Sequence, residues 1–516
     1  MEAVKKSAFF KFLDWVERVG NKLPSPFFLF LILMVFTMVL SVILSLAGVN
    51  VDYMNRVDGK LVQTNVKIVN LFSPTIIKGI ITGFVPTYVA FAPLGLVMTM
   101  VMGIGFIEET GLISAVMRKT LLNAPGFIVV AALAFVGVNA NIASDAGMIF
   151  SAAIGGALFK ALGRPPKMGI MIGFSAAAGG FTANLLLAGT DALLAGISQT
   201  VCTAAGIKFT ITPAMNWYFM FVATFVLTAV TVFVAEKITK KAMAGTVVET
   251  DKDALKKHML TPVEQKGLRH SGIGALIFLA VLLICIIPEK GFLRGANGSV
   301  VVSPFMSGIV FILFAFFLSV GIPYGRTVGT IKNERDIAKI MQKSIQNIAP
   351  FLVVALSASL FIDLFNKSGL ATVIAVNGAQ WLGSLNLGFI PICIGLIILA
   401  SFVNLFTISG SAKWLILAPI FIPMFAMLGM SPALTQTAYR IGDSVTNIIS
   451  PLSPYIPVVL GIMDQYKEKD EKPAGFGTII SLGLPYSIAY MIVLTLLLVV
   501  WILIGLPVGP GAPINL

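Results

Sequence analysis

Helix-length apolar stretches follow one another from residue 26 to residue 505, with only short polar interruptions. A helix rises about 1.5 Å per residue, so about 20 apolar residues reach across the hydrocarbon core of a bilayer. The stretches with that reach are 26–47, 80–104, 167–203, 213–236, 271–288, 303–322, 345–365, 434–462 and 478–505. Only 11% of the residues are charged, against about 25% in a soluble domain. Too little charge is present to cover a water-facing surface of this size. The pattern predicts an all-α polytopic membrane protein built as one membrane domain.

Two further apolar stretches, 125–162 and 386–428, do not read as simple spans. Each is a pair of helix-length halves joined by a small polar tip, Asn139-Ala-Asn-Ile-Ala-Ser-Asp145 in the first and Thr407-Ile-Ser-Gly-Ser-Ala-Lys413 in the second. Irregular backbone at membrane depth persists only where protein or a water-filled cavity satisfies it. Both stretches are therefore expected to be re-entrant helical hairpins. Charge supports this reading. With a cytoplasmic N-terminus and nine spans, 25 of the 36 Lys and Arg fall on the cytoplasmic side, as the positive-inside rule asks. Treating either hairpin as a full span destroys that asymmetry. The expected location is the bacterial inner membrane, with a periplasmic C-terminus. The net charge of +13 is thus an orientation signal, and no nucleic-acid partner is expected.

A shift of 266 residues lays Ser144-Asp145-Ala146 on Gly410-Ser411-Ala412, Leu162-Gly163 on Leu428-Gly429 and Pro166 on Pro432. Glu109-Thr-Gly-Leu-Ile113 similarly resembles Lys367-Ser-Gly-Leu-Ala371. The expected organisation is an N-terminal helix and periplasmic loop (1–75), a first repeat (76–236), a cytoplasmic loop (237–270), connecting helices (271–322) and a second repeat (323–516). The hairpins open from opposite faces in this topology, so the repeats are inverted, a pattern associated with secondary transporters.

After each hairpin comes a span with a polar, Gly- or Pro-containing break: Gly179-Gly-Phe-Thr-Ala-Asn184 followed by Ala188-Gly-Thr-Asp191, and Tyr439-Arg-Ile-Gly-Asp-Ser-Val-Thr-Asn447 followed by Ser450-Pro-Leu-Ser-Pro454. Freed backbone groups with hydroxyl and amide oxygens suit a monovalent cation or a polar substrate. The same features also fit a merely kinked helix. Candidate ion-site residues are Asn141, Ser144, Asp145, Thr182, Asn184, Ser409, Thr446 and Asn447. Asp145 reads either as a cation ligand or as a helix cap. Arg440 and Asp443, three apart on one helix face, read either as a self-neutralising pair or as a carboxylate clamp with its orienting acid. Asp191 reads as a proton or cation site, or as a residue at the outer interface. Trp414 reads as packing, or as a flat partner for an aryl group. Ser411, in the second tip, completes the candidate substrate site.

Ser409-Gly-Ser-Ala-Lys-Trp414, Tyr439-Arg-Ile-Gly-Asp-Ser444 and Ser450-Pro-Leu-Ser-Pro-Tyr455 resemble the AbgT family of p-aminobenzoyl-glutamate transporters, and the likeness spans essentially the whole chain. The resemblance implies an ion-transporter superfamily fold and a homodimer shaped as a bowl open to the cytoplasm. It implies import of p-aminobenzoyl-glutamate, a folate breakdown product, or efflux of sulfonamides and folate metabolites. It also implies pathway residues at Asp191, Trp414, Pro432, Arg440, Asp443 and Pro451, with Na+ or H+ as coupling cation and no organic cofactor.

Competing classes find little support. The cysteines Cys202, Cys285 and Cys393 are scattered through apolar stretches, and His258 and His270 lie in a polar loop, so no transition-metal site is expected. No phosphate-binding glycine loop is present, which argues against ATP-driven transport. A channel or an intramembrane enzyme remains as the alternative to a carrier, to be separated by concentrative, saturable flux and by turnover.

Overall fold

The computed structural model describes residues 15, 18–19, 22–57, 60–122, 128–243, 248, 250–407, 409–467 and 474–516. The first helix, α1 (Pro26–Leu46), begins at a proline, whose missing N–H is harmless in the first turn. It exposes Phe28, Phe36 and Leu46. Such exposure suits hydrocarbon as the surrounding solvent. A β-hairpin follows, β1 (Asn50–Val57) against β2 (Lys60–Lys67), inside the 1–75 segment where the sequence reading gave only a loop. Then come α2 (Pro74–Val89), α3 (Pro93–Glu109) and α4 (Leu112–Leu122).

The first interrupted pair is α5 (Val129–Asn139), a 3-10 turn at Ala140–Ala143, and α6 (Ser144–Ala161). The first broken span is α7 (Pro166–Gly179), a 3-10 turn at Gly180–Thr182 and α8 (Gly189–Ala204). Connecting helices α9 (Trp217–Val234), α10 (Pro262–Ile286) and α11 (Ile309–Val328) lead to α12 (Glu334–Lys367) and α13 (Leu370–Ser384). The second pair is α14 (Phe389–Phe406) and α15 (Gly410–Met427). The second broken span is α16 (Pro432–Val445) and α17 (Ile456–Gln465), before α18 (Phe476–Ile504).

Element bounds recur. Moving α6 and α7 by 266 residues gives the bounds of α15 and α16. Gly163 (φ +65°) and Gly429 (φ +86°) hold equivalent left-handed turns before the prolines that open α7 and α16. Gly111 (φ +85°) and Gly369 (φ +81°) do the same before α4 and α13. Glycine is used there because a Cβ disfavours that backbone region.

Among the described residues, nine helices are long and apolar enough to cross a bilayer. The number equals that read from the sequence, but for a different reason. The nine include both arms of the second pair, at 18 residues each, and omit the two spans that the breaks cut into pieces. Polar links show which helix ends lie together. Arg118 meets Glu264 at 2.6 Å, Arg164 meets Glu236 at 2.6 Å, and Lys343 meets Glu109 at 2.6 Å. The helix α4 and the end of α6 thus stand beside the segment that joins α9 to α10. At the second pair, Gly383 near the end of α13 packs against Leu428 just past α15. The C-terminal tail crosses the start of α16, where Ser431 N donates to Ile514 O, and the start of α9, where Phe219 N donates to Val508 O.

Candidate functional site

Proline at the start of α16 and the Ser431 hydroxyl, which accepts from Leu434 N, set the helix that carries Arg440 and Asp443. All fourteen residues of that helix are buried. Polar side chains at this depth require partners, and the partners differ from those the sequence suggested. Arg440 does not pair with Asp443. Its Nη1 lies 2.6 Å from Asp191 Oδ1, and its Nη2 donates to Phe181 O at 3.0 Å. Asp191 also accepts from Ala188 N at 2.6 Å, closing the first turn of α8. Asp191 is therefore a fully buried internal counter-ion. Asp443 pairs instead with Lys413, Nζ to Oδ1 at 2.5 Å. Spacing on one helix could not reveal two ion pairs that each bridge different helices.

The tips are pinned to the breaks. Asn141 donates to Gly180 O at 2.6 Å and accepts from Asn184 Nδ2 at 2.6 Å. Asn404 donates to Thr446 Oγ1 and Asn447 Oδ1, both at 2.8 Å. Thr182 Oγ1 donates to Arg440 O at 2.7 Å and meets the Ser444 hydroxyl, tying the two breaks to each other. Ser409 caps α15, accepting from Ala412 N. The side chains of Ser144 and Asp145, read as ion-site candidates, lie outside the described residues.

A cavity of about 220 Å³ opens where tips and breaks converge. Its apolar lining comes from Met148, Phe181, Leu193 and Leu194. Its polar lining comes from Thr190, Ser409, Ser411, Arg440, Asp443, Asn447, Ser453 and Tyr455. The Nε of Arg440 is buried and has no hydrogen-bond partner. Pro432 and Pro451 are not among the lining residues. Pro432 opens α16 eight residues before Arg440, about 12 Å along the axis.

Of the two readings of Trp414, the structure shows the contacts of the packing one. Its ring stacks on Tyr439 at 4.4 Å between centroids and 24° between planes, and its Nε1 donates to Ser198 Oγ at 3.0 Å. The side chain is fully buried and absent from the cavity wall. It is packing, and the aromatic groups that do face the cavity are Phe181 and Tyr455. Trp414→Ala should lower stability by about 3–5 kcal/mol, with Trp414→Phe, which keeps the stack, well below that. Thermal unfolding of the two variants checks this, and equal losses would refute the stacking role.

Lys413 and Asn404 were missed as site residues. The signal was present: a lysine inside an apolar stretch demands a neutralising partner. Among the described residues no group of three His, Cys, Asp or Glu could hold a metal ion.

A helical membrane chain with two repeat-related broken spans, meeting two interrupted helix pairs around a charged internal cavity, is a transporter. It belongs to the AbgT transporter family, whose family model matches residues 11–516. The chain is 37% identical, over 97% of its length and 96% of the other's, to the p-aminobenzoyl-glutamate transport protein of Escherichia coli strain K12. Its fold is similar to Neisseria gonorrhoeae MtrF, described as illuminating a class of antimetabolite efflux pumps, with a TM-score of 0.91, 37% identity and coverage of 97% of this chain and 100% of that one. It is also similar to the Alcanivorax borkumensis YdaH transporter, with a TM-score of 0.86, 33% identity and coverage of 94% and 100%.

Proposed function

We propose that this protein is a cation-coupled secondary carrier of p-aminobenzoyl-glutamate and related aryl carboxylates across the bacterial inner membrane. The observation that carries the reading is Arg440 in the lining of a cavity that mixes apolar and polar side chains, with its Nε buried and not yet hydrogen-bonded. A guanidinium presents paired donors that match a carboxylate. The Phe181 side of the cavity accepts the aryl ring. The Escherichia coli relative named for p-aminobenzoyl-glutamate supports this substrate.

Charge balance supports cation coupling. Arg440 and Lys413 are offset by Asp191 and Asp443. A substrate with two carboxylates therefore adds uncompensated negative charge to a buried site, and a co-bound cation offsets it. Asn184 Oδ1, buried and without a donor, is an oxygen available to that cation beside the first tip. In proteoliposomes of known orientation, concentrative uptake of labelled p-aminobenzoyl-glutamate should collapse when potassium replaces sodium at fixed pH. Uptake that persists and follows a pH gradient assigns the proton instead. Flux that concentrates nothing under either gradient contradicts a coupled carrier.

Efflux of sulfonamide antimetabolites is the second reading. It is favoured by the likeness to MtrF and by the apolar lining residues, which can hold an aryl ring that lacks the glutamate carboxylates. Extrusion of a sulfonamide from expressing cells tests it.

In this proposal both interrupted pairs are re-entrant from opposite faces, with the N-terminus cytoplasmic and the C-terminus periplasmic. Labelling of single cysteines in residues 323–343 from the cytoplasmic side is expected; labelling from the periplasm contradicts that topology. The α10 helix buries only Gly267, Leu268 and Ser271 within the chain. Its apolar remainder is left to lipid or to a second copy, in keeping with a homodimer.

A further inference from the structure

Two amide clasps recur 263 residues apart, Asn141 with Asn184 and Asn404 with Asn447 (404 − 141 and 447 − 184). In each, one amide donates to the other and one amide oxygen is left over. The direction is reversed between them: Asn184 donates to Asn141 in the first clasp, and Asn404, the counterpart of Asn141, donates to Asn447 in the second. They differ in what becomes of that oxygen. In the first clasp the leftover oxygen is Asn184 Oδ1, buried and without a donor. In the second it is Asn404 Oδ1, and the Lys413 ammonium donates to it. The same ammonium lies 2.5 Å from Asp443 Oδ1, with the Tyr439 hydroxyl 3.4 Å from that carboxylate oxygen. Lys413 is fully buried. Neither register of the repeat gives the first clasp such a group: Phe150 lies 263 residues before Lys413, and Gly147 lies 266 before it.

An amide oxygen and a carboxylate oxygen converging on one buried point form a site for a hard monovalent cation. We propose that Lys413 is a tethered cation, filling with its own ammonium a cation site in the second repeat, so that only the first clasp takes a mobile ion. The chain would then carry one coupling cation fewer than its repeat symmetry allows. Because Lys413 rides on α15 beside Gly410, the fixed charge also moves with the second tip. A lysine that merely neutralises Asp443 would need no contact with the amide clasp, yet Lys413 makes one. The inference builds on the cation reading of the first clasp, so its test measures stability and binding and does not measure uptake.

The purified Lys413→Ala protein is compared with wild type by thermal unfolding in sodium chloride and in choline chloride. Removing the ammonium opens the site, so the sodium-minus-choline shift in Tm should at least double relative to wild type. Adding Asp443→Asn to Lys413→Ala should return the shift to the wild-type value, because the vacated site then lacks its negative oxygen. An unchanged shift in Lys413→Ala overturns the proposal. So does failure to recover that variant in either salt, since saturating sodium would refill a site built for a cation. Equilibrium binding of radioactive sodium to the wild-type protein is the second measurement. One ion per chain is expected, and two would overturn the tethered-cation assignment. Failure of uptake to respond to sodium would strike the functional proposal and leave these stability readouts standing.

Discussion

Arg440→Ala is expected to abolish uptake of p-aminobenzoyl-glutamate and to destabilise the protein at the same time. Loss of a charge-assisted contact worth up to about 3 kcal/mol weakens substrate affinity about 100-fold. Separately, the substitution strips Asp191 of its counter-ion at 2.6 Å. An uncompensated buried charge costs about 3–5 kcal/mol, read as a lower Tm. The two effects can be parted. Arg440→Met combined with Asp191→Leu removes both charges and should recover most of the stability, while uptake stays lost. Arg440→Lys keeps a charge but loses the planar fork that reaches Asp191, Phe181 O and the cavity together, so uptake should stay low. Uptake at normal affinity in any of the three would refute the role of Arg440 as the carboxylate anchor.

Gly169→Val is the second substitution with a large expected effect, and it acts far from any charge. Helices α6 and α7 touch backbone to backbone. A Cβ on Gly169 would sit 2.1 Å from Gly155 O, one on Gly155 would sit 2.3 Å from Gly169 O, and one on Gly173 would sit 2.0 Å from Ser151 O. Small residues permit such approach between helices in a membrane. A branched side chain at Gly169 must push the first interrupted pair away from the first broken span, and with it Asn141 from Asn184. Detergent-purified Gly169→Val should yield almost no monodisperse protein, whereas Gly79→Ala, where a Cβ meets nothing within 4 Å, should behave as wild type. Normal yield and Tm for Gly169→Val would contradict the interlocked packing.

Much of this arrangement was legible in the sequence because membrane insertion restricts how a chain can satisfy its backbone. Polar tips at Asn139–Asp145 and Thr407–Lys413 had to be interruptions, and the matched prolines Pro166 and Pro432 do open helices of equal length. The cavity wall includes Ser409, Ser411, Arg440, Asp443 and Asn447, all singled out from the breaks and tips. Pairing was not legible. Which cation faces which carboxylate depends on helix rotation and approach, so Arg440 was read against its neighbour three residues away, while its partner lies 249 residues earlier. Trp414 stayed open between two readings for a similar reason. Its position beside the tip was visible, but the Tyr439 ring that covers its face is a tertiary fact. The β-hairpin at 50–67 escaped because two short strands between apolar helices read as a loop.

Central to the account is that substrate occupies the cavity between the second tip and the two breaks. Ser411 lines that cavity and is partly exposed. A protein carrying Ser411→Cys, with Cys202, Cys285 and Cys393 replaced by serine or alanine, would be treated with a small hydrophilic thiol reagent in the presence and absence of p-aminobenzoyl-glutamate. Saturating substrate should slow modification several-fold, and Arg440→Ala in the same background should remove that protection. Undiminished labelling in a variant that still transports the compound would contradict the placement of the substrate in this cavity.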